Sequence, residues 1–138
     1  MLGRFVTAQE DAFEQALGEL REGQKQTHWI WFIFPQIAGL GHSTMARHYA
    51  ISDRREAQDY LAHPILAPRL REATNALSSW QGRRGAEEIL GSIDALKVRS
   101  SMTLFEAVSD DPLFGLVLDG FYDGSRDDRT LSLLRGDL

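Results

Sequence analysis

The sequence predicts an all-α fold, a single compact globule of about seven helices joined by short turns. Three observations carry this. Apolar residues recur at three- and four-residue steps, most clearly at Leu66, Leu70, Ala73, Leu77 and Trp80, the spacing that gathers side chains on one helical face. Capping and breaking residues such as Gly23, Ser43, Asp53, Pro64, Asp111-Pro112 and Gly124 stand at the ends of these periods,. The one segment that could be a buried strand, around Trp29–Phe34, has no second convincing strand to pair with.

The elements follow in chain order. Phe5, Val6, Phe13, Leu17 and Leu20 define a first helix from about Arg4 to Arg21, stopped by Gly23,. Gln9 lies on its apolar face, where it needs a hydrogen-bond partner. His28 to Gln36, HWIWFIFPQ, is apolar on both alternating faces. It is read as a short helix, because no second convincing strand exists to pair with a lone one, and Pro35, which disfavours helical geometry at Phe34, ends it. A glycine-containing loop, Ile37 to Ser43, leads into a helix over about Thr44 to Ile51 that Ser43 caps. Asp53 and Glu56 have capping-box spacing and open a helix bearing Ala57, Tyr60 and Leu61. His63-Pro64 breaks the chain and starts the helix of the Leu66–Trp80 stripe. After the polar turn Gln81–Gly85 comes a short helical turn, Glu87 to Leu90, closed by Gly91. A helix from about Asp94 to Ser109 presents Val98, Met102, Phe105 and Val108. Asp111-Pro112 starts the next, with Phe114, Val117, Leu118 and Phe121. Asp127 to Leu134 forms a last short helix with Leu131 and Leu134 facing inward.

The totals bound the function. At 138 residues the chain is the size of one domain, taken as 1–138, and long enough to bury about two-thirds of its unfolded surface. It has no cysteine, which excludes disulfides, thiolate catalysis and Cys-ligated zinc. The longest apolar run, Trp29 to Pro35, is far below the roughly 20 residues that span a bilayer. No signal peptide is visible after Met1, so the expected setting is cytoplasmic. The net charge of −5 opposes binding to nucleic acid or anionic lipid. The stretch holding Arg69, Arg71, Arg83, Arg84, Lys97 and Arg99 is read as the solvated side of helices.

No P-loop, nucleophile elbow, His-Glu-x-x-His or EF-hand loop occurs. No cofactor is implied. The four histidines, His28, His42, His48 and His63, do not share a helical face at ligand spacing, so no metal site is predicted. Three segments remain. Gly39-Leu-Gly41-His-Ser43 enters a helix start, where free N–H groups and the dipole favour an anion that Arg47 would grip. Lys97, Ser100 and Ser101 share a helical flank near Asp94, a geometry compatible with pairing to Gln36 or to a carboxylate, or with a Ser–Lys nucleophile and base. His28, Trp29 and Trp31 form an aromatic group suited to stacking on a base or sugar, or to core packing.

The phrases Arg4-Phe-Val-Thr-Ala-Gln9, His28-Trp-Ile-Trp-Phe-Ile-Phe-Pro-Gln36, Gly39-Leu-Gly41, Ala46-Arg-His-Tyr-Ala-Ile51, His63-Pro64 and Lys97-Val-Arg-Ser-Ser-Met-Thr-Leu-Phe105 resemble a bacterial family of uncharacterised small helical proteins. Its members often carry the label calpastatin. The resemblance covers nearly the whole chain and implies an all-α single domain, without an activity. The label fits this chain poorly, since that inhibitor is understood as largely disordered and this sequence has the pattern of a packed core.

The reading that follows is a binder, or an enzyme, for a small phosphorylated or nucleotide-like molecule. Its site would gather Gln36, Gly41, Ser43, Arg47, Tyr49 and Lys97, with His28, Trp29 and Trp31 as an aromatic wall. The rival is a protein-interaction module without small-molecule chemistry, which an exposed Trp29–Phe34 segment would favour.

Overall fold

The computed structural model describes residues 2–136. The extremes of the predicted domain, Met1, Asp137 and Leu138, lie outside the described residues. These fold into helices α1 (Gly3–Glu22), α2 (Ile30–Ile33), α3 (Thr44–His48), α4 (Arg54–Ala62), α5 (Leu66–Ser78), α6 (Ala86–Leu90), α7 (Ser92–Ala107), α8 (Pro112–Tyr122) and α9 (Asp128–Leu134). That is nine helices among the described residues where the sequence predicts about seven. Each of the nine has a counterpart among the segments read from the sequence, and the total of about seven undercounts the short pieces α2, α3 and α6, of four or five residues each.

The predicted signals act as caps. Gly23 ends α1 in the left-handed region at φ 73°. Ser43 Oγ accepts from Ala46 N, Asp53 Oδ1 from Glu56 N and Asp111 Oδ1 from Leu113 N. The Asp53–Glu56 box closes one residue early, with Glu56 Oε1 accepting from Ser52 N at 2.9 Å. His63-Pro64 works differently from expectation. The helix begins at Leu66, and His63 Nδ1 accepts from Ile65 N and Leu66 N at 3.1 and 3.2 Å. The imidazole, not the proline, serves the helix start.

α7 is the central element. It packs on α8, α9, α6, α4 and α2, while α1 packs on α5 and α2. Its buried residues run all round its circumference, from Ala95 and Val98 through Ser100 to Phe105, as expected of a helix enclosed by others. Its polar members therefore sit inside as well. Ser100 Oγ donates to Asp127 Oδ2 at 2.9 Å, and Thr103 Oγ1 donates to Arg99 O and accepts from Asp127 N. Gln9 finds the partners it needs: its amide donates to Phe32 O at 2.7 Å and to the Tyr60 hydroxyl at 3.1 Å.

The Trp29–Phe34 segment forms the short helix α2 and its end, with Trp29, Ile30, Phe32, Ile33 and Phe34 all in the core. Beyond Pro35 the chain makes a pairing that the sequence did not announce. Ile37 and Ile51 form an isolated parallel bridge, with Ala38 N donating to Ile51 O and Ile51 N to Gln36 O, each at 2.8 Å. This bridge closes the loop that carries α3.

Candidate functional site

The site is built where α6 gives way to α7. Gly91 separates them at φ 86°, ψ 158°, a backbone that suits glycine alone. Its N–H donates to Glu87 O and its carbonyl accepts from Ala95 N, so one residue ends one helix and begins the next. It has no side chain with which to cap α7, and no side-chain cap bond is present. The N–H groups of the first turn of a helix have no intrahelical acceptor, and here the helix is 16 residues long.

Gly91, Ser92, Ile93 and Asp94 form one wall of a cleft of about 370 Å³. Lys25 and His28, on the segment leading into α2, and Trp31 of α2 face it, together with Leu90 and Lys97. Asp94 sits between two ammonium groups, 2.9 Å from Lys25 Nζ and 3.6 Å from Lys97 Nζ. The lysines differ in availability. Lys25 is 8% exposed, also donates to Thr27 O at 2.6 Å and lies over the Trp29 ring. Lys97 is 28% exposed, meets Asp94 only loosely, and holds its charge 5.0 Å from the centroid of Trp31. An ammonium carries three donors, so Lys97 is the group able to take a further acceptor. Ile93, 70% exposed, forms an apolar lip.

The segment facing α7 is held by a buried carboxylate. Glu19 of α1 accepts from Gln26 N, Thr27 N, Thr27 Oγ1, Trp29 Nε1 and Gln15 Nε2 at 2.6–2.9 Å. Burial alone would raise its pKa. The bonds from Thr27, Gln15 and the backbone of Gln26 and Thr27 outweigh burial and lower it to about 2,.

The structure brings together part of the predicted set. His28, Trp31 and Lys97 border the α7 cleft. Gln36, Gly41 and Tyr49 lie with Trp31, Ile37 and Ala46 round a second hollow of only about 10 Å³, room for about one water. Trp29 is in the core at 1% exposed, its indole N–H bound to Glu19, and offers no face to a ligand. Ser43 and Arg47 are exposed and border neither hollow. The α3 start is also occupied from within: Ser43 Oγ takes the Ala46 N–H that an anion would use. Gly41 is close-packed on Ala46, whose Cβ would lie 2.6 Å from an added Cβ. Arg47 is in the last turn of a five-residue helix. The glycine loop thus spends its features on its own packing.

Ser100 bonds to Asp127 and to Leu96 O, Ser101 Oγ is buried without a partner, and neither bonds to Lys97. The basic stretch is dispersed. Arg69 stacks on Phe13, Arg71 pairs with Asp111, Arg83 stacks on Trp80, and Arg99 pairs with Asp127. Sequence reasoning missed Lys25 and the uncapped start of α7. Gly91 standing directly before Ser92 and Asp94 was the available signal, read only as a helix end.

Among the described residues no helix is long and apolar enough to cross a membrane. No curated protein matches the chain. Its fold is similar to the crystal structure of the conserved hypothetical protein Rv1873 from Mycobacterium tuberculosis, with a TM-score of 0.94 and 47% identity over 97% of this chain and 96% of that one. A family model described as "Protein of unknown function (DUF1810)" matches residues 1–134, and the chain belongs to that family.

Proposed function

We propose that the protein binds a small anion with a flat or apolar body, of the phosphorylated or nucleotide-like class, in the cleft between Trp31 and the start of α7. The observation that carries this is the uncapped N-terminus of a 16-residue helix opening onto a cleft where Lys97 stands over Trp31. Backbone N–H groups and the helix dipole favour negative charge there. Asp94 opposes it with one carboxylate against the two lysines. Trp31 and Ile93 suit the body of the ligand. Lys97, not Arg47, is the residue assigned to the anion. A cytoplasmic setting fits a chain without cysteine.

A thermal-shift screen against nucleotides, sugar phosphates and aryl carboxylates tests this. A ligand at about 100 times its Kd adds roughly 2.7 kcal/mol. The expected result is a shift of several degrees with one class, abolished by Lys97→Ala and retained by Arg47→Ala. A shift lost in Arg47→Ala and kept in Lys97→Ala would return the site to the glycine loop. No shift across the panel would end the small-molecule reading.

The interaction-module reading keeps one supporting observation. Ile93 and Leu96, one turn apart on α7, are 70% and 57% exposed. The Trp29–Phe34 segment does not support it, being buried apart from the half-buried Trp31.

A further inference from the structure

We propose that the segment Ala38–Ala50, which carries α3, is a lid: it opens as one unit about the Ile37–Ile51 bridge, with Arg4 as its latch, and uncovers the hollow beside Trp31. The opening does not depend on the α7 cleft being a site.

The two ends of the segment are fixed and adjacent. Ile37 and Ile51 are 3% and 0% exposed, and their bridge is made by the bonds Ala38 N to Ile51 O and Ile51 N to Gln36 O. Between them no residue is buried, the longest such run among the described residues. α3 itself has no buried residue. A compact surface loop with adjoining ends is an Ω-loop, and its displacement leaves the chain on either side in place. Few buried contacts are what a local opening below global unfolding requires. The hydrogen bonds of α3 are internal and travel with the loop: Ser43 O accepts from Arg47 N, Met45 O from Tyr49 N and Ser43 Oγ from Ala46 N.

The loop is fastened to the body chiefly by Arg4. This residue of α1 pairs with Glu56 of α4 at 3.0 Å, and donates from Nε to His48 O at 2.9 Å and from Nη2 to Ala50 O at 2.6 Å. Leu40 and Tyr49 rest half-buried against the core, the Tyr49 ring 5.9 Å from Phe5 and 5.3 Å from Phe32 between centroids. The bond from Arg129 Nη2 to Gly39 O at 3.1 Å is exposed. Below the loop lies the hollow of about 10 Å³. The body gives it Trp31, Gln36 and Ile37, and the loop gives it Gly41, Ala46 and Tyr49. Half of that wall leaves when the loop lifts, and a space for about one water becomes an open pocket. Trp31 also borders the α7 cleft, so the opening reaches a residue shared with it.

The chain has no cysteine, which permits a direct test. Ile37→Cys places a single thiol under the loop and leaves the backbone bridge intact. Val98→Cys places one in α7, where Val98 is 0% exposed, as the reference for global unfolding. Labelling with a thiol reagent under native conditions should be about 100-fold or more faster for Ile37→Cys than for Val98→Cys. Adding Arg4→Ala removes both carbonyl bonds and should quicken Ile37→Cys labelling about tenfold beyond any change in Val98→Cys. Hydrogen exchange of the unaltered protein gives a second measure that needs no variant. The amides of Arg47, Tyr49 and Ala50 should exchange together, well before those of Met102 and Phe105, while the Ile51 amide at the hinge stays protected. The proposal is overturned if Ile37→Cys labels no faster than Val98→Cys, if Arg4→Ala quickens both alike, or if the loop amides exchange only with those of α7.

Discussion

Glu19 illustrates how one residue organises a whole face of the site. Its carboxylate gathers five donors, three of them from Gln26 and Thr27, and so fixes the segment that carries Lys25, His28 and Trp31. Its pKa is lowered from 4.5 to about 2 on folding. A depressed carboxylate pKa contributes stability that is fully present above the unfolded value and is lost as pH falls through the folded one. We therefore expect Glu19 to contribute about 3 kcal/mol near neutral pH, lost between about pH 4.5 and 2. Circular-dichroism melts across that range should show a falling Tm. Glu19→Gln should lower the Tm at pH 7 and flatten its dependence between those limits. An unchanged acid limb in Glu19→Gln would assign that loss to other groups, Glu56 first, whose pKa is also lowered against its burial by Arg4 and Ser52 N. Glu19 was legible as a helix residue and nothing more. A charged residue at its position reads as solvent-facing, and only the return of the chain at Gln26–Trp29 makes it a buried acceptor.

At the scale of elements, α1 and α5 are locked where both end. Trp80 donates its indole N–H to Leu20 O at 2.9 Å, and its ring packs on Gly23. A Cβ at Gly23 would stand 2.7 Å from Trp80 Cε2, on a backbone at φ 73°. Gly23→Ala should cost about 2 kcal/mol from strain and overpacking together, a fall of roughly 6 °C in Tm. Gly18, inside α1 with nothing within 4 Å of an added Cβ, is the contrast. Gly18→Ala should stabilise by about 0.5–1 kcal/mol. Denaturant melts of the two variants measure both, and equal effects of one sign would contradict the assignment. Gly23 as a helix stop was legible from the sequence, because the signal is local. That the same glycine admits a tryptophan 57 positions later was not. Likewise α7 was legible as a helix from Val98, Met102 and Phe105, but not as the central one. Its buried Ser100, Ser101 and Thr103 obscure the one-sided pattern that periodicity detects.

For the whole molecule, charge decides what is excluded. The chain carries −5, and Arg71, Arg99 and Arg126 are spent on Asp111, Asp127 and Glu106. No continuous basic track remains of the stretch from Arg69 to Arg99. We expect fluorescence anisotropy with duplex and single-stranded DNA to give a Kd weaker than about 10⁻⁴ M at physiological salt. Tighter, salt-dependent binding would require a basic surface that these pairings do not leave. One cluster of buried residues draws on every helix from α1 to α8 except α3, and α3 hangs on the Ile37–Ile51 bridge and on Arg4, which donates to His48 O and Ala50 O. The predicted anion grip of Gly41, Ser43 and Arg47 rested on that outlying element.

The sequence by itself determined the helical class, most helix ends, the apolar faces of α1, α5 and α8, and membership of a specific helical family. These depend on contacts within about four residues, where spacing and capping chemistry act directly. Tertiary structure decided where the candidate cleft lies. Lys25, Trp31, Asp94 and Lys97 meet only because α2 is laid against the start of α7. The glycine loop lost its ligand-like features to Ala46 and Ser43. A free donor and a satisfied one look alike in a sequence, because the acceptor that distinguishes them arrives from elsewhere in the chain.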